Sequence, residues 1–285
     1  VQRRTFLKST LAASILAAHD VWSADAGRRV QPIGLQLYTV RGQAAKDLDG
    51  TLAQVRAAGY REVEMTSDLK QTAKEQRVLL DRHGLTSPGV HIDYSVVEAG
   101  LPQAMEKAHT LGQTYLVCPW IDESQRKAPG GWKKAADLFN KAGEQCHQAG
   151  FQFAYHNHTF EFRPETTLGG KLPYDFLLAN TDPNLVKMEL DLCWITVAGG
   201  DPVTYFKRYP GRFPLVHVKD WKGKGGDLDV MKQHLADAGQ GSIDWRAIFA
   251  QSEPAGIKHY IVENDVAKSF EDIRISYQYL NNLRY

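Results

Sequence analysis

Residues 148–158, QAGFQFAYHNH, carry the grammar that the rest of the chain repeats. A helix runs up to Gln148, a glycine at 150 ends it, and the apolar strand FQFAY delivers His156. Glycine suits that junction because it takes the left-handed conformation that closes a helix, so the next strand starts at once. Side chains alternate along a strand, so Ala154, His156 and His158 share one face while Phe153 and Tyr155 share the other. The same grammar recurs in AAGYREVEM (57–65), RHGLTSPGV (82–90), TLGQTYLVC (110–118) and PAGIKHYIV (254–262), with Gly59, Gly84, Gly112 and Gly256 at the junctions. IGLQLY (33–38), LVKMELD (185–191) and PLVHVKD (214–220) complete eight strands.

The intervening segments read as helices. Leu48, Leu52 and Val55 form one core-facing stripe, and Trp132, Ala135, Phe139, Ala142 and Cys146 form another. Later helices are expected near 172–180, 202–209, 244–252 and 269–283, and the Gly- and Lys-rich stretch 222–243 reads as a long loop after the seventh strand. Eight alternating units predict a parallel sheet closed into a (β/α)₈ TIM barrel. The chain has 285 residues, 43% of them hydrophobic and 24% charged. That suffices for one barrel domain, expected over residues 27–285.

Four strands end in residues that bind divalent metals: His156, Asp191, His217 and Glu263. Their spacing fits converging strand ends rather than one helix or a zinc knuckle. Two imidazoles with two carboxylates suit Mn²⁺ first, and also Co²⁺, Mg²⁺, Fe²⁺ or Zn²⁺. Parity turns Glu189 and Asp191, His217 and Lys219, and Ile261 and Glu263 inward, at the barrel end where such enzymes keep their chemistry. Each residue also has a plainer reading. Asp191 and His217 could cap loops, His158 competes with His156 as the fifth-strand ligand, and Glu189 reads as a structural partner of Lys187 or Lys219. Lys219 is a candidate substrate contact or half of a buried ion pair. Gln36, Tyr38, Glu64 and His91 are polar groups at strand ends, with His91 equally readable as a core histidine. Trp120 and Trp194 could stack on a sugar face or simply pack. An ion with open positions would polarise a chelated α-hydroxy carbonyl and acidify its α C–H. Glu263 is then a candidate to shuttle the proton.

The motifs GLQLYTVR (34–41), YHNHTFEF (155–162), ELDLCW (189–194) followed by GGDP (199–202), HVKD (217–220) and VEND (262–265) resemble the sugar isomerase/epimerase superfamily with the xylose isomerase-like barrel. The resemblance spans about residues 31–285. It implies metal ligands at the fifth-strand position, Asp191, His217 and Glu263, with a substrate-contacting histidine at His91. His158, Glu64, Lys219, Trp194 and Gln36 join it as candidate substrate contacts. Relatives include hydroxypyruvate isomerase, inosose dehydratase, ketose 3-epimerases and enzymes that process 3-keto-glycosides. The epimerases place glutamate on the fifth strand as ligand and acid/base. Here His156 stands in that place, as candidate ligand and proton carrier, so a symmetric two-glutamate epimerisation is not the expected chemistry. The resemblance also implies pairing of two copies into a homodimer.

The expected activity is metal-dependent isomerisation or epimerisation of a keto-sugar through an enediolate. A lyase or hydratase acting on 3-keto-glycosides is the nearest rival, and a non-catalytic periplasmic sugar-binding protein is the non-enzyme alternative. A net charge of +1 without a long basic run disfavours nucleic acid and anionic membrane as partners, and with them a nuclease. Cys118, Cys146 and Cys193 are scattered and read as buried small hydrophobes rather than a disulfide framework. Residues 1–26 resemble a twin-arginine export signal, with Arg3-Arg4-Thr5-Phe6-Leu7-Lys8, the apolar run Leu11 to Ala18, and Ala24-Asp25-Ala26. A frayed basic tail and an uncleaved anchor are the alternatives. The signal reading implies a periplasmic or exported protein, folded before it crosses, with no stable membrane insertion.

Overall fold

The computed structural model describes residues 27–223 and 232–285. The expected signal segment lies outside them. Eight parallel strands close into a barrel: β1 (Ile33–Gln36), β2 (Glu62–Thr66), β3 (Gly89–His91), β4 (Tyr115–Cys118), β5 (Gln152–His156), β6 (Val186–Asp191), β7 (Leu215–Val218) and β10 (His259–Val262). They follow in chain order around the ring, β10 pairing with β1 through Gly34 and Ile261. All eight expected strands are present. Gly84 (φ +61°) and Gly112 (φ +69°) sit in the left-handed region as helix C-caps, where other residues are strained.

The expected helical stripes face the barrel. Helix Leu48–Ala58 buries Leu48, Leu52 and Val55, and helix Gly131–Gln148 buries Trp132, Ala135, Phe139, Ala142 and Cys146. Phe139 lies 5.3 Å from Phe153 and 5.1 Å from Tyr155 between ring centroids, so the outward face of β5 is its socket. Emptying that socket, as in Phe139→Ala, costs about 3–5 kcal/mol. Gly143 lets this helix approach closely: a Cβ there would stand 2.6 Å from the carbonyl oxygen of Leu185, just before β6. The later helices are Pro173–Asn180, Pro202–Arg208, Trp245–Phe249 followed by Ser252–Ala255, and Phe270–Asn282, close to where periodicity puts them.

Inside the barrel, Tyr115, Val117, Ala154, Leu215 and Ile261 form their own buried apolar cluster, separate from the core between strands and helices. That cluster is a plug, and polar residues of the same parity, His156, His217 and Glu263, stand above it toward the strand C-termini. The stretch after β7 is not simply a loop. Strand β8 (Asp220–Trp221) pairs antiparallel with β9 (Leu235–Ala236). Asp220, one step out of phase with inward Lys219, is buried and gathers four donors: Trp221 N (2.9 Å) and Ile243 N (3.2 Å) on Oδ1, Gly239 N (2.9 Å) and Trp245 Nε1 (2.9 Å) on Oδ2. Cys118, Cys146 and Cys193 are free, buried thiols. Among the described residues no helix is long and apolar enough to cross a membrane.

Candidate metal centre

Strand register brings the four rim residues together. Asp191 pairs with His217, and Ile261, two residues before Glu263 on the same face, also pairs with His217. His156, Asp191, His217 and Glu263 each offer one donor atom, all within 4.8 Å of one another, and all four side chains are buried. His217 Nδ1 stands 3.1 Å from Glu263 Oε2. Asp191 is held from three sides. Its Oδ1 accepts from Trp194 N (2.8 Å) as the N-cap of helix Leu192–Val197, its own N–H donates to Asn157 Oδ1 (3.0 Å), and its Oδ2 lies 3.1 Å from Lys219 Nζ. That last contact is an ion pair without hydrogen-bond alignment, so Oδ2 lacks a hydrogen-bond partner. Two imidazoles, two carboxylates and a buried carboxylate oxygen of this kind fit a divalent cation of hard or borderline type. His156, not His158, is the fifth-strand member of the quartet.

Several expected roles change. Glu189 does not pair with a lysine: its Oε2 receives His91 Nε2 (2.8 Å), His156 Nδ1 (3.1 Å) and His217 Nε2 (3.2 Å). Lys187 donates instead to the carbonyl of Gly211 (3.2 Å). Lys219 pairs with Asp191, Glu263 and Asp265, and its Nζ lies 4.8 Å from the centroid of the buried Trp194 ring. Gln36 donates to Glu64 Oε2 (2.7 Å), and both are fully buried. Gln36, Glu64, Lys219 and Trp194, expected as substrate contacts, are buried and are not among the residues that line the cavity. Alternation tells which face a residue takes but not how deep its layer sits in the barrel.

The electrostatics follow from burial and these contacts. Burial raises Asp191 to about 6, with Lys219 and His217 pulling the other way. Burial, then the adjoining His217, pushes His156 down to about 3. His158 falls well below its usual value, through burial first and then His156, so it is a neutral imidazole at neutral pH. Burial opposes charge on His217 and Lys219. Glu189 and Glu263 outweigh it at His217, and Asp191, Asp265 and Glu263 outweigh it at Lys219, so both are held well above their usual values.

Above the quartet opens a cavity of about 380 Å³ whose lining includes Tyr38, Asp68, His91, Trp120, His158 and Glu263. Ligand pockets run to about 300–1,000 Å³, so a monosaccharide-sized guest fits. Trp120 is 37% exposed and stands edge-on to His158, 4.8 Å between centroids. His158 Nδ1 is buried without a partner. Two residues that parity did not select hold this corner. Asn157 ties β5 to Asp191 as above. Glu161 accepts from Tyr155 OH (2.6 Å) and from His158 N (2.9 Å), and burial lifts it to about 7 against those bonds. The signal in the sequence was their place inside YHNHTFEF, beside the histidines but off their face.

A family model described as the xylose isomerase-like TIM barrel matches residues 52–274. A sugar phosphate isomerase/epimerase from Parabacteroides distasonis superposes with a TM-score of 0.72 at 27% identity, over 94% of this chain and 98% of that one. An inosose dehydratase from Geobacillus kaustophilus is 26% identical over 272 residues, covering 82% of this chain and 87% of the relative. The IOLI protein, whose structure holds a zinc atom, shares the fold with a TM-score of 0.69 at 16% identity, over 87% of this chain and 95% of that one. The closed eight-stranded barrel and the span of that match place the chain in the xylose isomerase-like TIM barrel family.

Proposed function

We propose that this protein is a divalent-metal-dependent sugar lyase that removes water, or another β-leaving group, from a keto-sugar or keto-cyclitol. The ion, held by His156, Asp191, His217 and Glu263, would withdraw electrons from the carbonyl and neighbouring hydroxyl of the substrate and acidify the α C–H. His156 turns Nδ1 to Glu189, and Glu263 meets both His217 and Lys219 through Oε2, so both residues are committed to the quartet. The expected proton-carrying role passes from them to His158. Its ring borders the cavity, it is neutral, and its Nδ1 has no protein partner. His158 takes the α-proton and returns it to the departing β-hydroxyl, which leaves as water while the C–C double bond forms. Trp120 offers an apolar face to the ring of the sugar.

The observation that carries this reading is the chemical inequality of the site. Three imidazoles border the cavity, but His91 and His156 each turn a ring nitrogen to Glu189 while His158 Nδ1 has no protein partner. They are therefore unequal, where epimerisation calls for two equivalent groups on opposite faces of one carbon. The inosose dehydratases among the relatives act in the same sense. Isomerisation or epimerisation is the second reading, because proton abstraction is common to all three outcomes and the Parabacteroides relative is a sugar phosphate isomerase/epimerase. Manganese-, cobalt- and zinc-loaded protein should be incubated in deuterated water with inosose, 3-keto-glycosides and ketohexoses and followed by NMR. Loss of the β-substituent is expected. Deuterium entering the α carbon with a new isomer and no elimination would favour the second reading. No exchange with any of these substrates would remove both.

A further inference from the structure

The rim quartet stands on a layer with its own logic. Glu64 and Glu189 come from β2 and β6, across the barrel from each other, and both are fully buried. Three imidazole nitrogens converge on Glu189 Oε2: His91 Nε2 at 2.8 Å, His156 Nδ1 at 3.1 Å and His217 Nε2 at 3.2 Å. Glu64 Oε2 receives Gln36 Nε2 at 2.7 Å, His217 Nε2 at 2.8 Å and His91 Nε2 at 3.2 Å. An ionised carboxylate only accepts, so a ring nitrogen turned to it carries its hydrogen there. The hydrogen bond on one ring nitrogen decides what the other can do.

We propose that Glu189 and Glu64 are positioning residues that select the nitrogen each rim histidine presents: Nδ1 for His217 and Nε2 for His156. His217 shows both halves of the arrangement. Its Nε2 faces Glu64 and Glu189 below, and its Nδ1 faces Glu263, the rim carboxylate. His156 has Nδ1 engaged by Glu189, which leaves Nε2 for the ion. His91 shares the same two oxygens and closes the layer. The inference rests on the metal reading above and says how this chain prepares for the ion.

There is a competing arrangement. Donor atoms of His91, His156, Glu189 and His217 also lie within 4.8 Å of one another and could seat an ion one layer deeper. That seat would use the nitrogens facing Glu189, namely His156 Nδ1 and His217 Nε2. The donor Gln36 on Glu64 Oε2 belongs to a hydrogen-bonded layer and favours the rim. The two arrangements thus differ in which ring atom binds.

The test is two-bond ¹H–¹⁵N correlation of histidine-labelled protein, zinc-free and zinc-loaded, with signals assigned through His91→Gln, His156→Gln and His217→Gln. In zinc-free protein, His156 should carry hydrogen on Nδ1, and His217, whose two nitrogens both face carboxylates, should carry hydrogen on both and keep only that on Nε2 once zinc binds. Zinc should then shift His217 Nδ1 and His156 Nε2 as ligands. Glu189→Gln should lower zinc affinity by about 10–100-fold and let His156 populate both tautomers. Glu64→Gln should act on His217 in the same sense, and it serves if the first variant does not fold. Zinc shifts at His156 Nδ1 and His217 Nε2 would overturn the inference in favour of the deeper seat. Glu189→Gln with unaltered affinity and tautomers would overturn it as well. If the unaltered protein binds no zinc, the metal reading falls, and the zinc-free spectra still decide the layer: His156 protonated at Nε2 alone would refute it.

Discussion

Asp220→Asn should cost far more than its size suggests. The carboxylate of Asp220 serves four donors, two on each oxygen, from Trp221, Ile243, Gly239 and Trp245. An asparagine keeps one oxygen, so whichever way the amide turns, two donors face an NH₂ group instead of an acceptor. Stranding a buried donor costs about 1–3 kcal/mol, and water relieves part of it at the less buried backbone groups, so the expected loss is about 2–4 kcal/mol. Urea unfolding followed by circular dichroism measures it, provided the slope is unchanged. Proteolysis between residues 222 and 243 reports whether the loss is local. Gly241→Ala is an independent probe, because a Cβ there would stand 2.0 Å from Asp220 Oδ1. The two changes should be less than additive, since both break one clamp. A loss below about 0.5 kcal/mol, as for an ordinary surface substitution, would show that the four bonds do not hold this segment.

Metal affinity should depend more steeply on pH below about 6, where Asp191 takes up a proton that the ion must expel in addition to the one on His217. Isothermal titration with zinc checks this, and a constant slope through that range would contradict the assignment of Asp191 as ligand. Asn157→Ala leaves the N–H of Asp191 without its acceptor and should destabilise the protein by about 1–3 kcal/mol while weakening metal binding. Wild-type affinity in that variant would mean that the cap at Trp194 alone holds Asp191. Trp120→Ala should raise KM by about tenfold, the equivalent of ~1.4 kcal/mol of lost contact, with kcat little changed. An equal fall in kcat would place Trp120 in the chemistry rather than in binding.

The sequence by itself determined the barrel and the rim. Helix stripes such as that of Trp132, Phe139 and Cys146, glycine stops such as Gly84 and Gly112, and strand alternation are local rules. Eight repeats of them leave one closed parallel sheet as the way to bury every strand. Alternation also named His156, Asp191, His217 and Glu263, because a charged or imidazole group ending an apolar strand has few places to go. Only the tertiary structure decided depth and partnership. Whether Glu189 meets Lys187, Lys219 or three histidines depends on stagger between strands that are distant in sequence. The same stagger leaves Gln36, Glu64 and Lys219 buried outside the cavity lining while His91 and His158 form part of its wall. Asn157, Glu161 and Asp220 escaped sequence reading for a related reason: each faces off the barrel axis, and its worth lies in backbone groups that only the folded chain brings within reach.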